Sequence, residues 1–219
     1  MDLSTIERRI AATGLLVRGG FHPGGDDAVP GNPATLILVG DVAGRLWPHF
    51  NAARRDEADP LDSWTRRVLD PAATDLGARI VYPFDGPPHH PFQRWAMRAE
   101  GLRPSPIGPL AHPEFGLWHS YRAALLFGRR IDLGPPPPAD HPCDGCADKP
   151  CLGACPVEAF DGRGFSLPAC LGHLRAPQGR PCMTGGCLAR HACPVGAEHA
   201  YGADHQAFVA QSFLAAFGR

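Results

Sequence analysis

Hydrophobic positions recur along the chain with two periods. Leu3, Ile6 and Ile10 fall on one helical face, Ser4-x-x-Glu7 reads as a capping box and Gly14 offers a stop, so residues 4–13 are expected to be helical. Ala34–Val42 is a continuous apolar run of strand length between Asn32-Pro33 and Gly44, the pattern of a buried strand. Leu61–Leu76 carries Trp64, Val68 and Leu69 at helical spacing, with Pro71 marking a break. Arg79–Phe84 is β-branched and aromatic and predicts a strand; Pro91–Glu100 predicts a helix ending at Gly101. Pro109–Ala111 and Gly116–Phe127 read as a strand pair around His112-Pro113-Glu114. Near the end, apolar residues at 208, 209, 213, 214 and 217 predict a last helix over Asp204–Phe217. The expected class is α+β: an N-terminal α/β sheet domain over 1–134, then a small cysteine module over 141–219 that includes the last helix. Between them Pro135-Pro136-Pro137-Pro138 favours a semi-rigid polyproline spacer over 135–140.

Composition narrows the functions available. The net charge is −1, so no bulk attraction draws the chain to nucleic acid or anionic membrane, and no nucleic-acid or membrane partner is expected. No apolar run reaches the ~18–20 residues of a membrane span. Residues 1–14 are charged and amphipathic, without the apolar region of a signal peptide, so a cytoplasmic location is expected. Of 21 basic residues only Lys149 is a lysine, and it is the one candidate for lysine catalysis. No G-x-x-x-x-G-K-[ST] or G-x-G-x-x-G string offers a phosphate cradle.

All eight cysteines lie between Cys143 and Cys193, which favours metal binding over disulfides in a chain that is not exported. The first run is Cys143-x2-Cys146-x4-Cys151-x3-Cys155-Pro156. Cys170 stands alone, and Cys182-x4-Cys187-x5-Cys193-Pro194 follows. Ala154-Cys155-Pro156-Val157-Glu158-Ala159 repeats as Ala192-Cys193-Pro194-Val195-Gly196-Ala197, 38 residues later. These runs resemble the C-x2-C-x2-C-x3-C-P run of bacterial two-cluster ferredoxins, with two extra residues in the second gap. In that family three thiolates on a loop serve one cubane. The fourth, opening the next helix at a Cys-Pro step, serves the other. The resemblance implies two [4Fe–4S] clusters, one on Cys143, Cys146, Cys151 and Cys193, the other on Cys155, Cys170, Cys182 and Cys187. Two four-thiolate zinc sites, or one cluster with one zinc, are the alternatives. His141, His173 and His191 sit among the cysteines as outer donors or surface residues.

The whole chain looks like epoxyqueuosine reductase and its relatives, in which a cobalamin-binding α/β domain precedes a two-cluster module. Ala169-Cys170-Leu171-Gly172-His173-Leu174 stands where that family has its lone cysteine. Asp85-Gly86-Pro87-Pro88, Glu100-Gly101-Leu102 and Glu114-Phe115-Gly116-Leu117-Trp118 resemble its Asp-x-x-Pro, Ala-Gly-Leu-Gly and Phe-Gly-Ser-Trp stretches. His112 through Trp118 and Arg122 is also similar to CblC-type cobalamin proteins, which implies a CblC/nitroreductase-like N-terminal domain. The likeness covers roughly residues 80–195. It implies a corrinoid contact at Trp118 and Arg122 and a proton donor at Asp85. After Leu102 the chain departs from the family's Gly-Lys-Asn turn with Arg103-Pro104-Ser105-Pro106, which speaks against cobalamin.

Three functions follow as expectations. The first is ferredoxin-like electron transfer to a redox protein partner through two [4Fe–4S] clusters, with the N-terminal domain as docking platform. The second is a corrinoid-dependent reductase whose clusters reduce a cofactor in the N-terminal domain. The third is a zinc-stabilised interaction module. No catalytic residue is assigned. Phe84, Phe92 and Trp95 are candidates to line a cofactor cavity, and His89-His90 to bind a metal, although a turn, a core and a solvated loop explain them as well.

Overall fold

The computed structural model describes residues 2–135, 140–161 and 164–218. They fall into two units, Met1–Leu102 with His119–Ala139, and Arg103–Trp118 with Asp140–Arg219. The proline-run boundary therefore does not separate residues 103–118 from the cysteines. The expected polyproline spacer falls on 136–139, outside the described residues.

In the first unit α1 (Leu3–Ala11) is capped by Asp2, whose side chain accepts from Thr5 N–H at 3.0 Å. The cap lies two residues before the expected Ser4, which leaves Ser4 inside the helix. Strand β1 (Leu16–Phe21) pairs antiparallel with β2 (Thr35–Val42), which is buried at every position and is the strand expected over 34–42. β1 escapes the periodicity because Gly19 and Gly20 interrupt its apolar pattern. Helix α2 (Leu46–Ala53) is likewise unexpected; its start is held by Leu46 N–H donating to Asp41 Oδ1 at 2.8 Å.

α3 (Pro60–Asp75) runs through Pro71 without ending there. An interior proline removes the one bond to the carbonyl four residues back. Buried Trp64, Leu69, Ala72 and Ala73 on both sides of it hold the helix in place. β3 (Arg79–Val81) is shorter than expected, and α4 (Phe92–Glu100) packs on β1 and β2. The chain then enters the second unit as β4 (Arg103–Pro104) and β5 (Leu110–Ala111), and returns as β6 (His119–Phe127). The sheet order is β1-β2-β6-β3, all neighbours antiparallel. β5 pairs with β4, not with the strand after the His112 turn as expected; only the bridge His112–Gly116 spans that turn among the described residues.

One end of this sheet buries charge. β1 carries a bulge at Arg18, and β6 carries one at Arg122, opposite Val39 and Gly40 of β2. Arg18 is 7% exposed and donates to Asp41 O and to Glu100 Oε2, both at 2.9 Å. Asp41 is wholly buried, and its Oδ2 has no partner among the described residues. Burial lifts the Asp41 carboxyl to about 6 against the pull of the Leu46 N–H and the Arg18 guanidinium; burial also raises Glu100.

In the second unit α5 (Pro150–Gly153) packs on α8 (Leu188–His191), while α6 (Leu167–Arg175) and α7 (Arg180–Gly185) pack on α9 (Ala203–Phe217), the expected last helix. No helix among the described residues is long and apolar enough to cross a membrane.

The buried carboxyl of Asp41 makes stability depend on pH. The folded chain keeps this proton up to about pH 6, whereas the unfolded chain releases it near pH 4, so stability falls as pH rises between those values. A carboxyl that holds its proton to about two pH units higher in the folded chain contributes ~3 kcal/mol to that fall. Asp41→Asn is expected to remove about that much of the decline, read by urea denaturation at pH 4, 5, 6 and 7. An unchanged slope would show that Asp41 is ionised throughout.

Candidate metal centre

Each cysteine is placed by a short element or a tight turn. Cys143 and Cys146 lie on the loop before α5. The two additional residues of the Cys146–Cys151 gap lead into Lys149, at φ +39°, and Pro150, which opens α5 and turns Cys151 inward to 8% exposure. Cys170 lies in α6, Cys182 in α7, and Cys187 starts α8. Cys155 and Cys193 follow α5 and α8. Their Cys-Pro steps open turns rather than the expected helices. The cause is shared by both copies of the repeat: Glu158 at φ +48° and Gly196 at φ +68° occupy the same position, and a left-handed residue there stops helical propagation.

The eight thiols are all free and gather as two groups. Cys143, Cys146, Cys151 and Cys193 line one cavity. Burial raises the Cys143 thiol, reinforced by the nearby thiols of Cys193, Cys151 and Cys146; burial and then Cys193 and Cys146 raise Cys151. In the other group burial pushes Cys170 up to about 11, with Cys187, Cys155 and Cys182 adding to it. Burial also raises Cys182; Leu188 N–H opposes this, and Cys187 and Cys155 add to it. None of these four raised thiols is acted on by a thiol of the opposite group. Sulfur contacts include Ala159 N–H donating to Cys155 Sγ at 3.4 Å. Among the described residues no three His, Cys, Asp or Glu side chains converge as a single bound ion requires.

The segment 112–118 braces this unit. Arg190 of α8 donates from Nε and Nη2 to Leu117 O at 3.1 and 2.5 Å, and its guanidinium carbon lies 4.3 Å from the Trp118 ring centre and 4.7 Å from that of Tyr201. A Cβ on Gly116 would stand 1.8 Å from Val195 O, and one on Gly196 would stand 2.4 Å from the Phe115 carbonyl carbon. The chain after Cys193 is thus seated directly on the backbone of 115–116. His141 accepts from Cys143 N–H at 3.3 Å through Nδ1 and meets Arg103 O at 2.9 Å through Nε2; His191 Nε2 meets Gly185 O at 2.8 Å. Both rings fix loops through carbonyls. Sequence reasoning missed Arg190 because its partners are a backbone carbonyl and ring faces that no motif records.

The other nominated residues are engaged in structure. Arg122 donates to Asp62 Oδ1 at 2.5 Å and to Thr65 Oγ1 at 3.1 Å, in the first unit, while Trp118 lies under Arg190 in the second. Asp85 accepts from Tyr82 N–H at 2.8 Å and from Arg66 at 2.5 Å. His89 meets Asp85 O at 3.0 Å, and His90 stacks on Trp95. Phe84 stacks on Tyr82, and Phe92 packs on Trp95.

Gly116→Ala is expected to destabilise the chain by about 1–3 kcal/mol, through positive φ and overpacking against backbone that cannot yield. Gly145→Ala, with open space around its Cβ, is the control. Denaturation midpoints of the two variants test the brace; equal midpoints would refute it.

No protein-family model and no curated protein matches the chain. Among solved structures it is similar to epoxyqueuosine reductase with an epoxyqueuosine-modified tRNA-Tyr stem loop. The two align at a TM-score of 0.54 and 13% identity, covering 91% of this chain. The chain spans 66% of the length of that neighbour. The likeness is one of fold, and it extends over residues of both units.

Proposed function

We propose that the protein is an iron–sulfur oxidoreductase carrying two [4Fe–4S] clusters, and that it works as a reductase. The observation that carries this reading is the gathering of the eight thiols into two groups of four, each drawing its fourth member from the other half of the repeat. Four thiols per group match the ligand number of a cubane, and the groups leave no cysteine over. The clusters would accept and release single electrons; the chain's own residues hold them, exclude water with prolines and apolar side chains, and donate backbone N–H groups to sulfur. The fold likeness supports reductase over carrier because it extends over the sheet unit as well as the cysteine unit.

The residues present do not fit a corrinoid. Arg122, Trp118 and Asp85, which the family resemblance nominates, are occupied by Asp62 and Thr65, by Arg190, and by Arg66. The electron acceptor is therefore a small molecule of another class or a redox partner. The fold neighbour binds a tRNA stem loop, so a net charge of −1 does not by itself decide against nucleic acid as the acceptor's carrier.

Anaerobically purified protein is expected to hold about eight irons and about eight sulfides per chain, with broad absorbance that dithionite bleaches. Cys143→Ala/Cys193→Ala, within one group, should leave about four irons. Cys193→Ala/Cys170→Ala, one from each group, should leave fewer still. Zinc in place of iron, or equal loss in both double variants, would sink the assignment.

A further inference from the structure

We propose that the Ser105 hydroxyl donates a hydrogen bond to metal-bound sulfur in the first cysteine group and so raises the reduction potential of the cluster held there. The inference rests on the two-cluster reading above. Ser105 is 7% exposed, and its Oγ is buried with no partner among the described residues. Its backbone is fully engaged: the N–H donates to Pro109 O at 2.8 Å, and the carbonyl accepts from Gly108 N–H at 2.9 Å. The turn therefore fixes where the side chain projects. Ser105 lines the same cavity as Cys143, Cys146, Cys151 and Cys193.

The rest of that wall explains why one hydroxyl matters. Pro106, Pro142, Pro150 and Pro194 line it and have no N–H, Leu117 and Val195 add apolar side chains, and Lys149 is the other lining residue whose side chain carries N–H or O–H donors. An unpaired buried hydroxyl is costly, so its persistence in the wall of a cavity that four cysteines line calls for an acceptor. Sulfur ligating iron is such an acceptor. It is more electron-rich after reduction, so a donor aimed at it stabilises the reduced state more than the oxidised one. Ser105 is a positioning and tuning residue; it forms and breaks no bond to substrate. In the sequence, Arg103-Pro104-Ser105-Pro106 is only a departure from the resembled family. The structure gives the departure a place in the wall of the centre.

The test uses the full chain, purified without oxygen, in a dithionite titration with mediators followed by electron paramagnetic resonance. Ser105→Ala is expected to keep about eight irons and to lower the potential of one cluster only. The expected change in its reduction equilibrium is about tenfold, which is ~59 mV for one electron. Ser105→Thr keeps the hydroxyl and should restore the potential. In wild-type protein moved to deuterium oxide, the reduced cluster should lose a proton hyperfine coupling that Ser105→Ala lacks from the start. Two unchanged potentials at full iron content would overturn the inference, as would a Thr variant as low as Ala. A wild-type spectrum with no exchangeable coupling at either cluster would overturn it without any variant. Wild-type protein devoid of iron would instead remove the reading beneath it, so the two failures are distinguishable.

Discussion

Four thiols crowded into one apolar cavity oppose their own ionisation. Burial raises them, and each neighbouring thiolate raises them further, as the shifts at Cys143, Cys151, Cys170 and Cys182 show. The second unit has to hold two such groups together. It does so with backbone: the Gly116 and Gly196 seats, the Arg190 clamp on Leu117 O, and the packing of α5 on α8. None of these contacts gains from thiol ionisation. On the two-cluster proposal, iron bound by thiolates would reverse the local electrostatics and so couple metal binding to the order of this unit.

The same constraint accounts for the division of the chain. Residues 103–118 leave between α4 and β6 and join the cysteines. They bring Ser105 and Leu117 to the cavity, Phe115 and Gly116 to the turn after Cys193, and Arg103 to His141 and Asp144. A fragment beginning at 140 would lack one wall of its first thiol group. The cysteine unit is therefore less self-contained than its compact run of cysteines suggests.

Much of this was legible from residue order. The buried strand β2 and helices α3, α4 and α9 follow from periodicity, whereas the division of the cysteines into two fours is what the resemblance to two-cluster ferredoxins implies. What was not legible depends on contacts remote in sequence. β5 chose β4 because the turn Ser105–Gly108 closes that hairpin locally, while Gly116 was already committed to Val195. Pro71 stayed helical because its neighbours are buried, a property that no local signal carries. The cap moved from Ser4 to Asp2 because both residue types cap well and the carboxylate came first. The Cys-Pro turns failed to become helices because of a single left-handed residue, which Gly196 hinted at and Glu158 concealed.

The two units show contrasting ways of burying negative charge. In the sheet unit Arg18 sits between the Asp41 carbonyl and Glu100, and burial still lifts both carboxyls, so a guanidinium offsets only part of the cost. In the cysteine unit the described arginine contacts go elsewhere: Arg190 to Leu117 O and two rings, Arg103 to Asp144, Arg175 to Gly218 O. Lys149 lines the first cavity, one cation against four thiols. A chain with 20 arginines has thus directed them to carbonyls, carboxylates and rings while gathering eight thiols. On the two-cluster proposal, a polynuclear metal group would supply the positive charge that these thiols need to ionise, at the ligand number the two groups provide.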